Sequence, residues 1–182
     1  MRVRNCLLLS LVFTCVVQAG TQLSGVSGGI AIAIGNGADG MNPGFNVGAE
    51  TLGRPHKIIA VGASAEYQRL TVRFSASAPS DLHASVHILQ FSGVPRLFGQ
   101  ITEDFSVFFE ADPGLHLVIA RIWTRSYWDS EVNPRFGLNI GTGCIFKSLL
   151  FCGEVKQTFV KDGVIRSLAF SLGYEYGASW RE

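Results

Sequence analysis

No stretch of this chain is long enough to cross a bilayer as a helix. The longest apolar run, Cys6–Val17, is broken by Ser10 and Thr14, whereas a spanning helix needs roughly 20 apolar residues. Charge is also scarce. Only 16% of the residues are charged and basic residues form no run, so a nucleic-acid partner finds nothing to hold. The sequence holds no Gly-rich phosphate loop and no zinc-ligand spacing, and it calls for no cofactor and no metal. Beyond the first residues, no apolar run keeps helical spacing, which argues against a helical bundle.

The N-terminus reads as an export signal. Arg2 and Arg4 precede the apolar run, and Val17-Gln18-Ala19 puts small residues where a signal peptidase cuts. Residues 1–19 are therefore expected to be removed, leaving residues 20–182 as one domain. Without Arg2 and Arg4 the basic residues fall from 15 to 13 against 14 acids, a net charge of about −1. Cys144 and Cys152 remain, in an oxidising compartment where a disulfide between them stays open.

What is present is alternation. Ile30, Ile32 and Ile34 share one strand face, as do Phe45, Val47 and Ala49; Phe136, Leu138 and Ile140; and Leu168, Phe170, Leu172, Tyr174 and Tyr176. Period two is the strand signature. The opposite faces carry Gly, Ala, Ser and Asn, with Glu50, Glu66, Arg73, Glu154, Lys156 and Glu175 among them. Glycine weakens a strand interior, so a face rich in small residues points to a place short of space. The lumen of a narrow transmembrane barrel is such a place, with bulky groups facing lipid and the six charges facing inward. Trp123, Tyr127, Trp128, Tyr174 and Tyr176 fall at strand ends, where amphipathic rings favour the headgroup level.

Counting back from a C-terminus on the periplasmic side places residues 35–43, 76–81, 124–134 and 160–163 outside. It places 53–56 and the tight Lys147-Ser148 turn inside, with 92–103 unusually long for an inner connection. The count is eight strands if 104–123 is continuous through Asp112-Pro113-Gly114, with a bulge read near Arg69. Ten strands remain open. The expected fold is thus all-β: a closed, antiparallel, up-and-down transmembrane β-barrel. A two-residue loop at Lys147-Ser148 would set Cys144 beside Phe151, with Cys144 outward and Cys152 inward, against a disulfide. A three-residue loop would set the cysteines opposite each other.

The segments "RFGLNIGTG", "LLFCGEVKQTFV" and "SLAFSLGYEYG" resemble the last three strands of the small, eight-stranded, porin-like outer-membrane β-barrel domain family of Gram-negative bacteria. Gly137, Gly141 and Gly143 match its glycine-alternating strand, Glu154 and Lys156 its inward charges, and Tyr174 and Tyr176 its final aromatic strand. "GGIAIAIGNG" and "PGFNVGAE" look like its first hairpin. The resemblance implies the cell outer membrane as location, with outer-membrane lipid and the barrel-assembly machinery as partners. One departure is that the chain runs past Tyr176 to Trp180-Arg181-Glu182 instead of ending on an aromatic residue.

The expected role is a structural or surface-interaction protein, monomeric and without an open pore, because eight strands leave a lumen that side chains fill. Two other readings compete. A soluble, lipocalin-like exported barrel would turn the apolar face inward around an apolar ligand. His83-Ala84-Ser85 is similar to the His-x-Ser element of outer-membrane lipid A deacylases, with Glu103 or Glu110 as the acid, although Val86 stands where that element has Asn. A serine nucleophile needs a base within hydrogen-bond reach; the plainer reading makes His83, Ser85 and His87 polar lumen residues.

Overall fold

The computed structural model describes residues 21–35, 38–74, 78–161 and 163–177. The expected leader, residues 1–19, and Trp180 lie outside these. The alternating segments form eight strands: β1 (Thr21–Ile34), β2 (Met41–His56), β3 (Ile59–Val72), β4 (His83–Gln100), β5 (Phe105–Trp123), β6 (Trp128–Phe146), β7 (Leu149–Val160) and β8 (Gly163–Gly177). Each pairs antiparallel with the next, and β1 pairs with β8 from Leu23↔Gly177 to Ile34↔Arg166, closing the barrel.

The turn signal at Asp112-Pro113-Gly114 does not break β5. The β4–β5 ladder lapses between Ser92↔Gly114 and Arg96↔Glu110, and Pro95 and Pro113 both fall in that interval. Proline has no N–H to donate, so two prolines sharing one gap cost the sheet a single lapse. Eight strands therefore stand and ten do not.

The bulge expected near Arg69 lies in the neighbouring strand instead. Asn42 pairs with Thr71 but Phe45 with Arg69, so β2 carries the extra residue, at Pro43-Gly44. Strand β3 runs on regularly, and the apparent slip has another origin: Leu70 points inward, fully buried. Loop limits also change: β2 starts at Met41, inside the outer segment expected over 35–43, and runs on to His56, so the inner turn expected over 53–56 falls at 57–58. Strand β4 continues to Gln100, so the inner connection expected over 92–103 shrinks to 101–104. Strand β6 starts at Trp128, leaving only 124–127 as the loop before it. The Lys147-Ser148 turn has two residues, with Lys147 at φ 58°.

The outer wall carries the bulky apolar residues. Ile30, Leu115, Phe136 and Leu172 are each about half exposed, at 53%, 49%, 58% and 55%, whereas Arg96 and Lys156 inside are 2% exposed. This is the inverse of a water-soluble protein, and it removes the lipocalin-like reading, which needs those groups inside. On β5 the outward apolar residues run from Val107 to Ile119. About 12 steps at ~3.4 Å, tilted ~45°, project to roughly 29 Å along the barrel axis, close to the ~25 Å apolar band of such barrels.

Leu115 lies near the middle of that band. Leu115→Arg is expected to cost about 2–4 kcal/mol of folding stability in a bilayer, whereas a change at an exposed site of a soluble protein stays within about 0.5 kcal/mol. Urea titration of folding into phospholipid vesicles measures this, and an unchanged midpoint would remove lipid from this face.

Candidate functional site

The lumen is filled in layers. At the end bearing the tight turns, Leu23, Leu52, Val94, Phe98, Phe108, Ile145 and Leu150 form an apolar plug. Above it lies the charged layer. Arg96 on β4 reaches Glu50 on β2 at 2.7 Å and Glu110 on β5 at 2.6 Å, with Glu175 on β8 at 3.6 Å. Its guanidinium also lies 4.4 Å from the centre of the Phe108 ring. Lys156 on β7 pairs with Glu66 on β3, across the lumen, and with Glu154 on its own strand at 3.0 Å.

A layer of amides and hydroxyls follows. Asn139 Nδ2 donates to Gln90 Oε1 at 2.8 Å, Gln68 Nε2 donates to Ser167 Oγ at 2.9 Å, and Asn46 Nδ2 donates to Ser171 Oγ at 2.7 Å. His116 lies in the same layer, its Nδ1 2.7 Å from Thr158 Oγ1. The glycine at 137 makes room for it, since a Cβ there would sit 2.0 Å from the ring.

Five of the six charges expected inside occupy this lumen: Glu50, Glu66, Glu154, Lys156 and Glu175. Arg73 does not. It follows the end of β3, exposed, and donates to Asn42 Oδ1 at 3.0 and 2.8 Å. Sequence reading did not place Arg96, Glu110, Asp112 or His116 in the lumen, where all four are buried. Their sequence signal was their spacing, since each sits at an even position on β4 or β5, in phase with Ser92 or Phe108.

Toward the loop end the polarity reverses. Leu70, Ile88 and Val118 turn inward and are buried. The alternation therefore places His83, Ser85 and His87 on the outer wall, beside Arg69 and Arg121 on the adjacent strands. This corrects the plain lumen reading of the three. The pair His83–Ser85 is not assembled either. His83 stacks on Trp123 with centroids 5.5 Å apart. Ser85 Oγ instead lies 2.8 Å from His87 Nε2, and His87 Nδ1 lies 2.6 Å from the Tyr67 hydroxyl. Ser85 is only 1% exposed. Glu103 is in the turn at the opposite end and Glu110 is inside, so neither proposed acid reaches the pair.

Trp123, Tyr127 and Trp128 stand at the loop end of the wall; Tyr174 and Tyr176 stand outward at the turn end. Tyr127 donates to Asp129 Oδ2 at 3.2 Å, and that bond raises the phenol above its ordinary pKa. Cys144 pairs with Phe151, as the two-residue turn demands, and both Cys144 and Cys152 are free thiols.

No family model matches the chain, and no curated protein matches it in sequence. Solved structures do match in fold. Neisserial surface protein A is 16% identical, with a TM-score of 0.58, over 86% of this chain and 97% of that one. The attachment invasion locus protein Ail of Yersinia pestis, solved with the heparin analogue sucrose octasulfate, is 16% identical with a TM-score of 0.53, over 86% of this chain and 100% of that one. The fold is that of the small eight-stranded outer-membrane β-barrels.

Removing Arg96 would leave Glu50, Glu110 and Glu175 facing one another. Arg96→Met is expected to destabilise the barrel by about 3–5 kcal/mol, while Arg73→Met stays within about 0.5 kcal/mol. Urea unfolding of the two variants in detergent micelles compares them directly, and equal midpoints would mean that the ion layer is not held together by Arg96.

Proposed function

We propose that this chain is a monomeric outer-membrane barrel with a structural or surface-interaction role, that it conducts no solute, and that anionic lipid is its lateral partner. The barrel-assembly machinery is its partner in folding. The observation that carries the reading is the inversion of the barrel around a filled lumen. An apolar plug, two ion clusters and an amide layer cross the space that a diffusion channel would need open.

The charges on the outer wall support the lipid partner. Alternation turns Arg69, Arg121 and Arg166 outward, all toward the loop end, and no described strand carboxylate faces outward with them. Arg69 Nε has no hydrogen-bond partner among the described residues. Guanidinium groups at the edge of an apolar band match the phosphates of headgroups, with planar two-point geometry. Tyr67, Trp123 and Trp128 give the same edge an aromatic rim.

Two measurements test this. Heat-modifiable gel mobility with flat single-channel traces in planar bilayers is expected; steady ohmic openings of the folded protein would overturn the closed lumen. Phosphate-bearing lipid added to micelles is expected to raise the temperature of gel-mobility conversion above that in neutral lipid. The triple variant Arg69→Gln, Arg121→Gln, Arg166→Gln should abolish the difference. An equal rise in neutral lipid would exclude headgroup recognition by these arginines.

A further inference from the structure

The lumen holds more acid than base. Glu50, Glu66, Glu110, Asp112, Glu154 and Glu175 face Arg96 and Lys156 in the charged layer, and Arg54 stands near Glu175 at the turn end. Even counting Arg54, the carboxylates are in clear excess. Two of these acids and one thiol converge on one spot. The ligand atoms of Glu110, Cys152 and Glu154, from β5 and β7, all lie within 4.8 Å of one another, and Cys152 Sγ is 3.5 Å from Glu110 Oε1.

Their approach depends on the strand between them. Gly141 of β6 pairs with both Glu110 and Glu154. A Cβ at that position would lie 2.8 Å from Glu154 Cγ and 3.1 Å from Glu110 Oε1. Glycine there leaves a cradle into which two like-charged side chains lean. An independent observation points to the same space. Asp112 is 5% exposed, its Oδ1 has no hydrogen-bond partner among the described residues, and it lines the same cavity as the other three. A buried carboxylate oxygen without a partner is costly, and here it looks into a cavity with a thiol and further carboxylates.

We propose that Glu110, Cys152 and Glu154, with Asp112 as the fourth donor, form a lumenal binding site for a zinc-class divalent cation. Four donors suit a tetrahedral ion, whose ligands stand ~3.3–3.8 Å apart at bond lengths of ~2.0–2.3 Å; Glu110, Cys152 and Glu154 reach that spacing by a contraction of about 1 Å, and Asp112, on the same cavity but outside their 4.8 Å group, swings in to complete the set. The thiol selects the class, because magnesium and calcium take oxygen ligands while sulfur favours softer ions. On binding, the Cys152 S–H bond breaks, an S–metal bond forms, and the proton leaves to solvent. The cation's two charges then offset the new thiolate and one of the excess carboxylates. The site is invisible in the sequence because its two i, i+2 pairs, Glu110 and Asp112 on β5 and Cys152 and Glu154 on β7, show only the spacing of ordinary strand alternation, and nothing along the chain says that the two pairs meet.

Cobalt(II) added to the chelator-stripped, folded mature chain in detergent is the probe. The expected result is one equivalent bound, with a thiolate-to-cobalt charge-transfer band that zinc bleaches and magnesium does not. Cys152→Ser should abolish the band and Cys144→Ser should keep it. Asp112→Asn should weaken binding by at least about tenfold, the lower end of what even outer-shell partners cost. Heat-modifiable mobility reports separately that each variant is a folded barrel. A folded barrel with no band, or one whose band survives Cys152→Ser, overturns the site and leaves the membrane reading untouched.

Discussion

A sheet surrounded by hydrocarbon has no solvent for an unpaired edge, so its backbone groups must all find partners within the sheet. The β1–β8 ladder meets that demand, and much else follows from it. Closure at eight strands leaves a lumen only as wide as a few side chains. Each inward position must then be small, or must interlock with its opposite number. Each outward position across the apolar band must tolerate lipid. The alternation of bulky and small residues is the linear trace of these two requirements.

The narrow lumen also explains the pattern of its ion pairs. Arg96 ties β4 to β2, β5 and β8, and Lys156 ties β7 to β3. Such buried pairs contribute little net stability over an apolar filling of the same shape. What they do is bind together strands that are not all neighbours in the sheet, so they favour one cross-section of the barrel. They also concentrate carboxylates where water is scarce, which is the setting of the lumenal cation site.

The reversal at the loop end has the same origin. Strands β4, β5 and β6 have 18 or 19 residues, well beyond the ~9–11 that cross a bilayer. Beyond the apolar band, the wall meets headgroups and water, and the ordinary rule of soluble sheets returns. Leu70, Ile88 and Val118 turn in, and Arg69, His87 and Arg121 turn out. The residues have not slipped register; their surroundings have changed.

That reversal marks where sequence reading failed. A periodicity of two shows which residues share a face, but not which solvent that face meets at a given height. Hence Leu70 passed for a bulge, and His83, Ser85 and His87 passed for lumen residues. In the Ser92–Glu103 stretch, Arg96 was hidden inside what looked like a long connection, because Gly93 and Pro95 mimic a loop. Where the alternation was uninterrupted, as from Phe136 to Tyr176, strand limits, the Lys147-Ser148 turn and the inward Glu154 and Lys156 could all be read directly.

From the amino acids alone came the all-β class, a count of eight strands with ten still open, and the sets of residues that share a face, since these depend on local period and on turn chemistry. Only the closed barrel decided which distant charges meet, where the wall leaves the apolar band, and that Glu110, Asp112, Cys152 and Glu154 share one cavity. Such juxtapositions depend on strand register and on curvature around the ring, and neither is encoded in the spacing along a single strand.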